Sequence, residues 1–195
     1  FKTYRHDPKQ PNSLLKDSVI SLLMDRNGNL WVGYWMDGIS RFDPQSMTFQ
    51  HFRESENGLH GESIRALCED SLGRIWIGTE GDGISIYTPS SNSFSYYPYK
   101  ANDPKGISDQ YIRSFLCDRN QTMWVGTMGF GLNRFNPKID GFTIYQNLTQ
   151  GSGSLSGNMI SALQEDSQGK LWIGTEAGLN CFNPEHNTFT CYSRK

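Results

Sequence analysis

The sequence predicts an all-β fold: a β-propeller arc of four four-stranded antiparallel blades plus one outer strand of a preceding blade, a fragment of a larger propeller. Three observations carry this reading. The stretch DRNGNLWVG at 25–33 returns as DSLGRIWIG at 70–78, DRNQTMWVG at 118–126 and DSQGKLWIG at 166–174, so Trp31, Trp76, Trp124 and Trp172 lie 45, 48 and 48 residues apart. Other positions keep step with each Trp: Val19, Ile64, Ile112 and Ile160 twelve residues before, Asp25, Asp70, Asp118 and Asp166 six before, and Gly33, Gly78, Gly126 and Gly174 two after. The period lies in the forties and its hydrophobicity alternates instead of following a helix, as expected for one blade per repeat.

The elements follow in chain order. The chain opens FKTY, and Phe1 and Tyr4 form an F-x-x-[FY] pair that recurs at the end of every repeat. Five such outer strands stand against four sets of inner ones, so residues 1–5 are expected to be the outer strand of an upstream blade. The blades then run 14–53, 59–98, 107–146 and 155–193. Strand a is VISLLM, IRALCE, IRSFLC or ISALQE, with a small third residue (Ser21, Ala66, Ser114, Ala162) suited to the crowding nearest the axis. The a–b turn D-x-x-G follows, its Asp side chain able to accept backbone N–H groups and its Gly able to take the left-handed conformation. The third copy has Gln121 in place of this Gly, and Asn120 is expected to take the left-handed role there.

Strand b is LWVGY, IWIGT, MWVGT or LWIGT. Its Trp and the Gly two residues on share a face: the Trp covers a neighbouring sheet and the Gly leaves room for that neighbour to approach. Strand c is GISRF, GISIY, GLNRF or GLNCF, stopped by Pro44, Pro89, Pro137 or Pro184, which lacks the N–H a ladder needs. Strand d carries the aromatic pairs Phe49/Phe52, Phe94/Tyr97, Phe142/Tyr145 and Phe189/Tyr192.

Composition narrows the function classes. Over 195 residues the net charge is −2 with the two signs interspersed, which argues against nucleic acid and against an anionic membrane surface. No apolar run approaches the roughly 20 residues of a membrane helix. The chain opens on Phe1 instead of Met, which reads as a piece of a longer protein. Cys68, Cys117, Cys181 and Cys191 form no C-x-x-C pair, and His6, His51, His60 and His186 are dispersed, so neither a metal nor a cofactor is expected. Cys181 on strand c and Cys191 on strand d are expected to lie near enough in register to be bridged, although a cross-strand disulfide is geometrically demanding.

The repeated unit, an aliphatic (Leu14, Leu59, Ile107, Leu155) five residues ahead of strand a, then D-x-x-G-x-[LI]-W-[IV]-G-T, G-[IL]-x-x-[FY]-x-P and F-x-x-[FY], resembles the two-component regulator propeller repeat. The likeness covers essentially the whole chain. Departures are Tyr34 where the other copies have Thr79, Thr127 and Thr175, Gln121 for Gly, and a b–c loop one residue shorter in the fourth copy. The resemblance implies a non-catalytic periplasmic sensor propeller, part of an inner-membrane hybrid receptor with a downstream β-sandwich, a membrane helix and a histidine kinase, responding to oligosaccharides. The implied partners are the glycan ligand, the remaining blades, the β-sandwich and, as an open option, a second copy in a homodimer.

The a–b turns are near-uniform and read as structure, whereas the b–c loops YWMD, TEGD, TMGF and TEA vary over a common scaffold, which is where function concentrates. Trp35 is the one Trp outside the repeat register, and Phe130 and Met128 are equally unforced by it. Exposed aromatics stack on sugar rings, and carboxylates and arginines bond hydroxyls, so the candidate ligand residues are Trp35, Arg65, Glu80, Arg113, Phe130 and Glu176. Packing between blades, or a protein interface, explains the same residues without a ligand. Two enzyme readings stay open: a glycan-active carboxylate pair from Glu80, Asp82 and Glu176, and a streptogramin-lyase type with His60 in a d–a loop as its acid/base. A scaffold propeller is the third alternative.

Overall fold

A computed structural model describes residues 1–54, 58–147 and 154–192; Ser193, the last residue of the expected fourth blade, lies outside them. Among the described residues the named elements are sixteen strands in four sheets. The first sheet is β1 (Val19–Met24), β2 (Leu30–Tyr34), β3 (Ile39–Asp43) and β4 (Thr48–Phe52). The second is β5 (Ile64–Glu69), β6 (Ile75–Thr79), β7 (Ile84–Thr88) and β8 (Ser93–Tyr97). The third is β9 (Ile112–Cys117), β10 (Met123–Thr127), β11 (Leu132–Asn136) and β12 (Gly141–Tyr145), and the fourth β13 (Ile160–Glu165), β14 (Leu171–Thr175), β15 (Gly178–Asn183) and β16 (Thr188–Tyr192). Every sheet is an antiparallel meander in chain order, and the first strands β1, β5, β9 and β13 lie side by side as the inner strands of an open propeller.

Strands a and b have the bounds the repeat predicts. Strand c begins one residue later in three blades because Gly38, Gly83 and Gly131 have positive φ and send their N–H groups to the next blade, onto Glu62 O, Gln110 O and Asn158 O. Each inner strand has a register break around its second residue, Ile20, Arg65, Arg113 or Ser161. A bulge of this kind re-aims the side chain at the strand end.

The core lies between blades. Trp31, Ile39 and Phe52 of the first blade meet Leu59, Ile64, Ile75, Ile77 and Tyr87 of the second. Trp76 and Trp124 repeat the contact against the third and fourth. Each Trp packs on the strand-c aromatic of the following blade, Trp31 on Tyr87 at 5.3 Å, Trp76 on Phe135 at 5.1 Å and Trp124 on Phe182 at 5.6 Å between centroids. The strand-d aromatics Phe52, Tyr97 and Tyr145 join the same rings at 5.1, 5.7 and 5.2 Å. Residues 1–5 pair with no described strand, yet Tyr4 lies 5.6 Å from Phe42, the equivalent ring of the first blade. That is the contact an upstream strand d makes elsewhere in the arc.

The Gly after each Trp permits this approach. A methyl group at Gly33 would stand 2.8 Å from Ile64 Cγ2, and one at Gly126 would stand 2.6 Å from Ile160 Cγ2. In front of Gly33, Ser21 sends its hydroxyl to Ile64 O at 2.7 Å and so stitches inner strand to inner strand.

The a–b turn has a second job. Asp25 Oδ1 accepts from the N–H groups of Asn27 and Asn29, at 3.0 and 2.8 Å, while Oδ2 accepts from the Trp31 indole at 2.9 Å. Asp70, Asp118 and Asp166 bond Trp76, Trp124 and Trp172 in the same way, at 2.8–2.9 Å. Burial opposes ionisation of Asp25, but the bonds from Trp31 and Asn29 outweigh it and hold its pKa below the usual carboxylate value. Trp172 does the same for Asp166. In the third turn Gln121 itself takes the left-handed conformation, φ 64°, and Asn120 does not. The expectation placed the strain on the wrong residue: the turn bond runs from Gln121 N to Asp118 O at 2.8 Å, and the residue at that position must turn left-handed whatever its side chain.

Both ends of the arc are open. Tyr4, Leu14, Val19, Leu22, Leu30, Val32, Phe42 and Phe49 line an apolar hollow of about 220 Å³ on the first blade. On the last, Leu179 and Tyr192 are exposed. Cys181 and Cys191 do not face each other across the hairpin, contrary to the expected register. Cys191 stands opposite Asn180 and Cys181 opposite Thr190, so the two side chains point to opposite faces of the hairpin and both thiols are free. Cys191 Sγ instead lies 3.0 Å from Asn180 Oδ1.

Candidate functional site

The b–c and d–a loops share one end of the arc, and backbone bonds lace them together within each blade. Trp35 N, Glu80 N and Met128 N donate to Ser18 O, Ser63 O and Tyr111 O, the residues just ahead of each inner strand. Within the loops Thr79 and Thr127 hold the turn by donating their hydroxyls to Gly83 O and Gly131 O, and Thr175 donates to Gly178 O. In the first blade Tyr34 replaces this Thr, and its hydroxyl oxygen accepts from Leu15 N at 3.4 Å.

Three of the six candidate residues come together on this frame. Glu80 on the second b–c loop lies 3.6 Å from Arg65 Nε and 3.3 Å from an Arg113 guanidinium nitrogen. The arginines come from the bulges of β5 and β9, so the triad straddles the seam between the second and third blades. Arg113 also lies 3.0 Å from Met128 Sδ. The triad carries one net positive charge, and Arg65 is 40% exposed along its side chain. Around the rim Trp35 is 43% and Phe130 52% exposed, on the first and third blades.

Glu176 has a different role. Its two carboxylate oxygens accept from Asn158 N and Met159 N at 3.1 and 2.9 Å, capping the fourth d–a loop. Tyr111, Met36 and Met159 are exposed on this rim and were not among the candidates. Tyr111 occupies the position filled by Ser18, Ser63 and Met159 in the other blades, so comparing the residue before strand a across repeats would have found it.

Two groups bear on the enzyme readings. His60 stacks on Tyr96 at 3.9 Å and 9°, with its N–H and C=O both bonded to the Ser85 hydroxyl. Asp82 has its pKa raised, first by burial and then by Glu54, with His60 acting in the other direction. At the opposite end a cleft of about 580 Å³ opens in the second seam, between the turn residues Asp70–Leu72 and Asn120–Thr122.

Comparison with known proteins adds the lineage. The extracellular domain described as belonging to a hybrid two component system of B. thetaiotaomicron is similar over 100% of this chain and 24% of that one, at 25% identity and a TM-score of 0.80. Virginiamycin B lyase of Staphylococcus aureus is similar at 16% identity over 94% of this chain and 57% of that one, with a TM-score of 0.69. A gluconolactonase of Xanthomonas campestris follows at 12% identity over 90% and 61%, with a TM-score of 0.62. The last two likenesses show the fold alone. The chain thus spans about a quarter of the length of the first of these proteins and less than two thirds of the others. No curated protein matches the sequence. Residues 13–36, 58–81, 106–129 and 154–177 each match the family described as two component regulator propeller, in the register that places Trp31, Trp76 and Trp124 against the next blade: the chain belongs to the two component regulator propeller repeat family.

Proposed function

We propose that this arc is part of the periplasmic sensor region of a hybrid two-component receptor, and that it is non-catalytic and takes an oligosaccharide at the b–c rim. The observation that carries the reading is the joint one: four family repeats, and similarity along the whole chain to the extracellular domain of a hybrid two component system. The rim chemistry agrees with a sugar ligand. Trp35 and Phe130 offer exposed faces for pyranose rings, and the Arg65–Glu80–Arg113 group offers donors and an acceptor for hydroxyls.

Two of the three rim carboxylates, Glu80 and Glu176, support a non-catalytic reading over a glycosidase. Glu80 lies in ion pairs with two arginines and Glu176 accepts two backbone N–H groups, contacts that organise the loops. In the receptor the remaining blades and a downstream β-sandwich are the expected neighbours.

Isothermal calorimetry of the complete extracytoplasmic region against a panel of plant and host oligosaccharides tests the proposal. One saccharide class is expected to bind, with Trp35→Ala weakening it by about 1–3 kcal/mol, a scale borrowed from base–aromatic stacking. Circular dichroism should show the variant folded. Unchanged affinity in a folded Trp35→Ala protein removes the rim assignment, and turnover of any saccharide removes the non-catalytic one.

A further inference from the structure

The three internal seams are built alike except for one. Where the first blade meets the second, Leu23 stands opposite Trp31 on β1 and Glu69 opposite Ile75 on β5, so both side chains enter the seam. Arg26, next to the turn Asp, then clamps that end: its N–H and guanidinium hold Glu69, and its other nitrogens reach Asp70 O and Ser71 O. The third seam repeats the arrangement with Leu116, Glu165 and Arg119, the last bonding Glu165, Asp166 O and Ser167 O.

In the second seam all three positions differ. Ser71 takes the place of the Arg, Cys68 that of the Leu and Cys117 that of the Glu. Cys68 stands opposite Trp76 and Cys117 opposite Met123, and Trp76 and Met123 belong to the core between these two blades. Both cysteines therefore point into one seam from adjacent inner strands, and both pack against that core. The seam that lacks the ionic clamp is the one with two thiols facing each other.

We propose that Cys68 and Cys117 are a disulfide site, a covalent tie between the second and third blades that replaces the Arg–Glu clamp of the neighbouring seams. The cleft of about 580 Å³ described above, lined by Ser71, Trp76 and Met123, opens beside the cross-strand partners of both cysteines, where a small thiol oxidant would approach. With oxidised glutathione as that oxidant, the Cys117 thiolate attacks one glutathione sulfur, forms a mixed disulfide and releases one glutathione thiolate. The Cys68 thiolate then attacks Cys117 Sγ, the Sγ–Sγ bond forms and the second glutathione leaves. Two protein thiols are oxidised, one glutathione disulfide is reduced, and the two protons end on the two glutathiones.

Burial pushes the Cys68 thiol up to about 11, with the backbone and sulfur of Cys117 as the next influences. Burial raises Cys117 as well, against the Ser71 N–H, which favours its thiolate. Both thiols are thus mostly protonated at neutral pH, and closure should speed up about tenfold per pH unit while the thiolate remains the minor form.

The test uses the 195-residue chain, reduced, then incubated with oxidised glutathione at pH 7.0 and 8.5, alkylated and mapped without reduction. The expected result is loss of two of the four thiols, a linked peptide pair containing Cys68 and Cys117, and faster closure at the higher pH. The melting midpoint should rise by about 5–10 °C and return on adding dithiothreitol. The variant Cys68→Ser should leave Cys117 carrying glutathione, with no linked pair and no rise. A disulfide requires Cα atoms within about 7 Å. Four free thiols in the folded wild type after oxidation, or links made only through Cys181 or Cys191, would therefore overturn the proposal.

Discussion

A single methyl group at Gly78 tests how the blades meet. In Gly78→Ala, built on the existing backbone, the added Cβ would stand 2.5 Å from Ile112 Cγ2 and 2.9 Å from both Ile112 Cβ and Phe115 Cε2. Two of these contacts are with a β-branched side chain at the foot of the neighbouring inner strand, which has no room to swing away. Overpacking of this kind costs about 1–3 kcal/mol, or about 2–12 °C in melting midpoint for a chain of this size. Gly174 is the internal control. It holds the same place in the repeat, but among the described residues only its own blade lies beside it, and its Cβ would meet nothing closer than Ser161 Oγ at 3.2 Å. Neither glycine has a left-handed backbone. Gly174→Ala should therefore be neutral, or stabilising by up to about 1 kcal/mol through the smaller entropy of the unfolded chain. Urea melts of the two variants, followed by tryptophan fluorescence, give both numbers. Equal losses would mean that the glycine is needed by its own strand and not by the seam, and the account of blade packing would fail.

Trp76→Ala should cost about 3–5 kcal/mol, whereas Trp172→Ala, on a half-covered face, should cost clearly less; matched denaturant midpoints would contradict the packing order. Gln121→Gly should stabilise by about 0.5–1 kcal/mol, since it removes left-handed strain from a non-glycine residue at some cost in chain entropy. Because Asp25 and Asp166 have folded pKa values below the unfolded carboxylate, their contribution is present above about pH 4. It is lost as pH falls through the folded values, so melting midpoints should be flat near neutrality and drop in acid. Asp25→Asn should flatten that drop, and a wild-type midpoint unchanged down to pH 3 would refute the assignment.

Much of this fold could be read from the chain because the repeat states each constraint four times. Strands a and b were bounded by Val19–Met24, Leu30–Tyr34 and their equivalents, where alternation and turn chemistry coincide. Strand c was placed one residue early at Gly38, Gly83 and Gly131. Their N–H groups serve the next blade, and no local pattern reveals a bond made across a seam. The Trp–Asp bond was also missed, although both residues were singled out, because spacing alone does not show that an indole turns back onto its own turn. The pairing of Cys181 with Cys191 failed by one residue of register, enough to put the side chains on opposite faces. At the rim, the exposure of Trp35 and Phe130 followed from their departure from the repeat. The Arg65–Glu80–Arg113 group did not, since it depends on bulges that re-aim the two arginines.

The Trp–Asp bond gives the arc a polarity. Each Asp belongs to the same repeat as the indole it orients, but the cavity that indole fills belongs to the following repeat, so every unit prepares a wedge for its successor and a socket for its predecessor. The two end blades are consequently complementary and not alike: the first displays sockets around Leu30, Val32 and Phe42, and the last displays the wedge Trp172. Damage to a turn Asp should weaken the joint downstream of it before it weakens its own sheet. During synthesis each blade would leave the ribosome with its wedge already aimed, waiting for the next socket to arrive.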